Sequence, residues 1–142
     1  MKKLVLLFIV IVMSIVKMAA QEGTIKATGL HFIQPVKDKQ WTNHHTDTYS
    51  DATYKEFTGQ VYFTLTPGKA ANVNLAYDIV VKEGKLEMEV TDIDGNTLLE
   101  HTFNENKKDT EIISLAAGKE YKIKFTGKQT SGSYKCKWGL SK

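Results

Sequence analysis

The sequence contains no arginine, a single cysteine among 142 residues, and no helical hydrophobic period beyond residue 21. Each absence excludes something. Arginine supplies the planar fork that grips phosphates and base edges two bonds at a time. A chain without it is poorly suited to nucleic acid, and no nucleic-acid partner is expected. One cysteine, Cys136, permits no intramolecular disulfide. The fold must therefore hold together through its core. No Gly-x-Ser-x-Gly elbow, His-Glu-x-x-His pair or phosphate-binding Gly-rich loop occurs. The acidic residues sit in turns or at outward positions, where burial does not favour the neutral acid that glycoside hydrolysis needs. Neither an enzyme nor a cofactor is expected.

What is present begins with Met1-Lys2-Lys3, an apolar run from Leu4 to Val16 broken by Ser14, and small residues at Ala19-Ala20. A positive head, a short apolar middle and a small-residue exit make a secretory signal, with cleavage expected after Ala20. A stable membrane span needs about 20 apolar residues, and this run is shorter. An uncleaved N-terminal anchor is the other reading. The segment resembles export signals of Gram-negative bacteria of the Bacteroidota type, which implies a secreted or periplasmic bacterial protein. Without residues 1–20 the 19 basic residues become 16, equal to the 16 acidic ones. A chain so balanced has no broad electrostatic attraction to anionic surfaces.

Residues 21–142 are expected to form one domain. Their dominant period is two. Val73, Leu75, Tyr77, Ile79 and Val81 alternate with polar residues, Glu83-Gly84 reads as a tight turn, and Leu86, Met88 and Val90 alternate after it. Asp92 to Asn96 reads as a turn. Leu99, His101 and Phe103 then share a face, Asn104 to Asp109 is a polar loop, and Thr110 to Leu115 is a strand. Ala116 to Lys119 turns into Tyr121, Ile123 and Phe125. A Gly127–Gly132 loop leads to Tyr134, Cys136 and Trp138. Val61, Phe63 and Leu65 make an earlier strand, and a parity change between Ala27 and Leu30 predicts a bulge at Thr28-Gly29. Gln34 to Glu56 is polar and non-periodic, a long loop. The sum is an all-β chain, a single antiparallel β-sandwich of about eight strands.

From Val61 to Trp138 the chain resembles bacterial extracellular jelly-roll modules of the pre-peptidase C-terminal type. The likeness rests on "GKEYKIKFTGKQTSGSYKCKW", preceded by "KLEMEVTDIDGN". It implies a jelly-roll-like sandwich that binds or targets without catalysis.

Two groups of residues are candidates for binding. If 120–126 and 133–139 pair as a hairpin, Lys124 lies opposite Lys135 and Lys122 opposite Lys137. Like charges so placed repel by a few tenths to about 1 kcal/mol per pair. Either an anionic ligand such as an acidic polysaccharide offsets this, or a strand carrying Glu87 and Glu89 lies alongside. The second group is "WTNHHTDTYSD". Trp41 and Tyr49 could stack on a sugar ring, with His44 and His45 beside them. Adjacent histidines in an extended chain point apart, so no metal site is expected. "DIDGN" lacks the further ligands of a calcium loop. Cys136, on the parity of Tyr134 and Trp138, is expected to be buried and inert. The resulting expectation is a secreted, non-catalytic binding module for a glycan or another cell-envelope ligand. The alternative is an inhibitor or assembly subunit that uses a sheet face or edge.

Overall fold

The structure, a computed structural model, describes residues 24–142. The expected export signal and its cleavage point lie outside the described residues. The chain forms β1 (Ile25–Ala27), β2 (His31–Lys37), β3 (Gln40–His45), β4 (Tyr49–Pro67), β5 (Ala71–Asp92), β6 (Thr97–Phe103), β7 (Lys107–Leu115) and β8 (Tyr121–Leu140). Every pairing is antiparallel, in one continuous sheet.

Three strands dominate: β4, β5 and β8 run 19, 22 and 20 residues. Strands of that length cannot stay flat against a small core, and these do not. In β4 the buried set changes from Ser50, Ala52 and Tyr54 to Phe57, Val61, Phe63 and Leu65. In β5 it changes from Val73–Ile79 to Leu86–Val90, and in β8 from Tyr121–Phe125 to Tyr134–Trp138. Each change of parity marks an extra residue, a bulge that bends the strand. The bulges align: Glu56 (φ 49°), Gly84 (φ 67°) and Gln129 (φ 47°) all have positive φ at the same level of the sheet. The sheet folds over along this line.

The fold-over makes two facing layers. The first is β3, residues 49–54 of β4, 131–140 of β8, 71–81 of β5, and β7. The second is β1 and β2, residues 58–67 of β4, 121–127 of β8, 86–92 of β5, and β6. Aromatic rings meet between them. Phe125 stacks on Tyr134 at 4.0 Å and Phe63 on Trp138 at 4.9 Å, as ring centroids. Such contacts contribute about 0.5–1.5 kcal/mol each beyond the burial of their area. On the side between β6 and β7, His101 Nε2 lies 2.6 Å from Glu111 Oε2, which also accepts from Tyr77 Oη at 3.1 Å.

Several expectations are corrected. Glu83-Gly84 is not a hairpin turn but the β5 bulge. Gly127–Gly132 is not a loop between two paired arms but the bulged middle of β8. Gln34 to Glu56 is not a loop; it supplies most of β2, all of β3 and the start of β4. Its polarity hid it, because β2 and β3 are flanking strands whose residues are mostly exposed. The bulge expected at Thr28-Gly29 is a break between β1 and β2. The count of eight strands nevertheless agrees: two expected pairs merge, while β3 is new and the first expected strand is split into β1 and β2.

The turn at Asp92–Asn96 is as expected, and its hydrogen bonds explain it. Asp92 Oδ1 accepts from the N–H groups of Asp94 and Asn96, both at 2.9 Å. Asp92 Oδ2 accepts from the Asn96 side chain at 3.0 Å and from Lys119 Nζ at 3.2 Å. Lys119 also reaches Asp94 at 3.3 Å, tying together two turns at one end of the sandwich. The Asn96 amide above all, then the Asn96 N–H and Lys119, hold the Asp92 carboxyl down at about 2, against partial desolvation. A depressed carboxyl stabilises the fold above its unfolded value, near 4, and loses that contribution as pH falls toward 2. Asp92→Asn is therefore expected to be less stable than wild type at pH 7. In urea titrations at several pH values the gap should close between about pH 4 and pH 2. A gap constant down to pH 2 would contradict this account.

Cys136 is fully buried, and burial pushes its thiol up to about 12. The thiolate is the reactive form. Iodoacetamide at pH 8 is expected to leave Cys136 unmodified in the native protein and to alkylate it in 6 M guanidinium. Rapid labelling of the native protein would disprove its burial.

Candidate functional site: a polar trough on the outer face of the first layer

The candidate site lies on the outward face of the first layer. The central strand there carries short outward side chains, Ser131 and Ser133, flanked by Thr53 on β4 and Val80 on β5. Longer side chains rise from β3 and β7 on either side. The result is a trough that follows β8 from Ser131 to Lys137, about 20 Å at the rise of an extended strand. It holds a depression of about 370 Å³ around His44, Asp51, Asp78 and Lys135. A second, of about 510 Å³, lies around Ala76, Lys108, Thr110 and Lys137. At its head, Ser131 Oγ accepts from the Glu56 N–H at 3.0 Å and lies 3.4 Å from Glu83 Oε2.

Register arranges the trough in rows. One row runs across all five strands as His44, Asp51, Lys135, Asp78 and Lys108, alternating basic and acidic groups. The next runs Tyr49, Lys137, Ala76 and Thr110. Adjacent strands are about 4.8 Å apart, so neighbouring groups in a row lie within reach of one small ligand. Asp51 is held in place, because its Oδ1 lies 3.1 Å from His44 Nδ1 and accepts from the His44 N–H at 3.2 Å. Lys135 leans along the trough instead, with Nζ 5.8 Å from the centre of the Tyr49 ring. Among the described residues no ion pair within 4.0 Å involves Lys108, Lys135, Lys137 or Asp78.

The eight candidate residues divide. The trough brings together His44, Tyr49, Lys135 and Lys137. Trp41 faces inward, its ring stacked on Tyr54 at 5.6 Å and packed against Phe57 at 4.9 Å and Phe32 at 5.2 Å. It is partly buried and packs against the core. His45 points inward too: its Nε2 meets the Thr28 carbonyl at 2.5 Å and its ring lies against Phe63 and Trp138. Lys122 and Lys124 lie on the outer face of the other layer. There Lys122 Nζ sits 4.6 Å above the Tyr62 ring, and Lys124 pairs with Glu89 at 3.6 Å.

The expected opposition of Lys124 to Lys135 and of Lys122 to Lys137 does not occur. All four sit on one long strand, in different layers. Of the two ways of offsetting lysine repulsion, the neighbouring strand is the one present at Lys124, whose register partner is Glu89. Sequence reasoning missed Asp78, Thr53, Ser133 and Lys108. Their one signal was outward parity, which many polar strand residues share.

Among the described residues, no three His, Cys, Asp or Glu side chains gather to hold a metal ion. No helix there is long and apolar enough to cross a membrane.

No protein-family model and no curated protein sequence matches the chain. No comparison supports the specific resemblance to pre-peptidase C-terminal modules. Solved structures are similar to the chain only at low identity. A structure described as "CBM4 structure and function" is 10% identical, with a TM-score of 0.45 over 75% of this chain and 78% of that one. A family 35 carbohydrate-binding module from Clostridium thermocellum is 11% identical, with a TM-score of 0.42 over 82% and 92%. The K1 cleaved adhesin domain of Lys-gingipain from Porphyromonas gingivalis W83 is 11% identical, with a TM-score of 0.49 over 84% and 98%. At such distances no ligand carries over.

Proposed function

We propose that this protein is an exported carbohydrate-binding module that holds a glycan in the trough without cleaving it. The observation that supports this reading is the contrast between the two outer faces. On the second layer Lys124 pairs with Glu89 and Lys128 with Glu87, and Lys122 covers Tyr62. On the first layer Lys135 leans over Tyr49, and Lys135, Lys137, Lys108 and Asp78 line a depression without an ion pair within 4.0 Å, though acids and bases alternate along the row. Sugar hydroxyls both donate and accept, and a row of carboxylates and ammoniums offers both roles. Tyr49 adds an apolar surface at one end. An apolar metabolite would call for a lining free of charged side chains, whereas Asp51, Asp78 and Lys135 line this trough. Export rests on the N-terminal sequence, with the periplasm or the cell exterior as the destination.

The test is electrophoresis in native gels cast with a panel of polysaccharides. Wild type is expected to be retarded by at least one of them, and Ser133→Trp, which fills the trough, is expected to run freely. No retardation by any member of the panel would remove this reading.

A further inference from the structure

The charges of the trough are not distributed evenly, and the imbalance bears on what kind of glycan it takes. Among the described residues, Lys39 pairs with Glu56 at 2.7 Å, Lys119 with Asp92 and Asp94, Lys124 with Glu89, and Lys128 with Glu87. Lys108, Lys135 and Lys137 have no such ion pair and line one depression at the Tyr49 end of the trough. The register neighbours of Lys137 are Tyr49 on one side and Ala76 on the other, neither of them a carboxylate. Lys135 has Asp51 and Asp78 as neighbours, yet its ammonium leans toward the Tyr49 ring. Lys135 and Lys137 are two residues apart on one face, so their stems start about 7 Å from each other. Lys108 enters from β7 in the row of Lys135.

The acids near this end offset its charge only in part. Asp51, hydrogen-bonded to His44, and Asp78 flank Lys135 but not Lys137. Asp109 lies 3.8 Å from Lys107 and accepts from the Thr110 N–H. Asp78 also faces Lys108. Like charges held this close repel unless something lies between them.

We propose that the Tyr49 end of the trough is an anion subsite, and that the glycan bound here carries a carboxylate or sulfate ester, seated between Lys135 and Lys137. This rests on the reading of the trough as a glycan site and adds the class of glycan. Each ammonium donates to the anionic oxygens, and a hydrogen bond to a charged group is about twice as strong as a neutral one. Ammoniums recognise charge and not the shape of the acid, so a uronate and a sulfated sugar share this chemistry.

The same gels distinguish the sources and the two levels of the argument. The panel holds neutral polymers (mannan, xyloglucan, arabinoxylan), uronate polymers (polygalacturonate, alginate) and sulfated galactan. Retardation by a uronate or a sulfated polymer is expected. Lys137→Ala and Lys135→Ala should each weaken it about tenfold, and Lys124→Ala on the opposite face should not change it. Raising sodium chloride from 0.05 to 0.5 M should weaken it as well, because exposed charge interactions are screened. For a uronate polymer, methyl esterification should abolish it. Retardation by neutral polymers alone would overturn the anion subsite and leave the glycan site standing. Anionic binding insensitive to both lysine variants would also overturn it. No retardation at all would remove both readings.

Discussion

Gly132→Ala is expected to lower the stability of the fold by about 3 kcal/mol or more, one of the larger effects a single methyl group can have. Gly132 has φ 150°, a conformation L side chains rarely adopt. Its α-carbon also faces the Val80 carbonyl of β5 so closely that a β-carbon would collide with that oxygen. The obstacle is backbone in the middle of the sheet, between β4 and β5, and cannot swing aside as a side-chain tip would. With a urea dependence of about 1.5 kcal/mol/M, the midpoint should fall by about 2 M. Since domains of this kind are stable by only about 5–15 kcal/mol, Gly132→Ala could leave the chain largely unfolded at 37 °C. The control is Gly29→Ala. A β-carbon at Gly29 meets nothing within 4 Å and its φ is not positive, so its stability should change by less than about 0.5 kcal/mol. If the two variants unfold at the same urea concentration, β8 does not pass β5 as described.

Ser133→Trp is expected to weaken glycan binding at least a hundredfold, about 2.7 kcal/mol, while the fold persists. Ser133 sits in mid-trough, between Thr53 and Val80 in register. An indole there occupies the space a sugar would take, and its neighbours cannot give way because they belong to central strands. Tryptophan is at home on a pleated surface and can pack over Val80, so stability should change by less than about 1 kcal/mol. Far-ultraviolet circular dichroism and the urea midpoint check the fold; isothermal titration with the polymer found on the gels checks binding. A folded Ser133→Trp that binds like wild type would place the ligand elsewhere.

The fold was legible wherever a strand has one buried face. Val73 to Ile79, Leu86 to Val90, Tyr121 to Phe125 and Tyr134 to Trp138 were readable because burying one face of a strand imposes a period of two. What joined these runs was not readable. A glycine with positive φ serves a hairpin turn and a bulge equally well. Gly84 is a bulge because Gln129 and Lys128 of β8 lie against it, with the Lys128 carbonyl 2.5 Å from where a β-carbon would stand. That contact joins residues about 45 positions apart, and no local signal reports it. The flanking strands β2 and β3 were invisible for another reason: mostly exposed, they carry no alternation.

The candidate site was half legible. His44, Tyr49, Lys135 and Lys137 drew notice as charge and aromatic clusters, and they do converge. Trp41 and His45 drew notice for the same reason, but their parity turns them toward the core, where they pack, partly buried, against the Tyr54, Phe57 and Phe63 rings. Lys122 and Lys124 share the two-residue spacing of Lys135 and Lys137, yet the fold-over puts them on the other side of the molecule.

By itself, then, the sequence determined that the chain is all-β, that its core is apolar and free of disulfides, and which residues of each run face inward. These follow from local periodicity and composition, which neighbouring residues impose on one another. Only the tertiary structure decided that three strands pass through both layers, and that Asp51, Lys135 and Asp78 stand side by side. Those facts depend on register between distant strands and on three aligned bulges, and register is set by the whole sheet closing around its core.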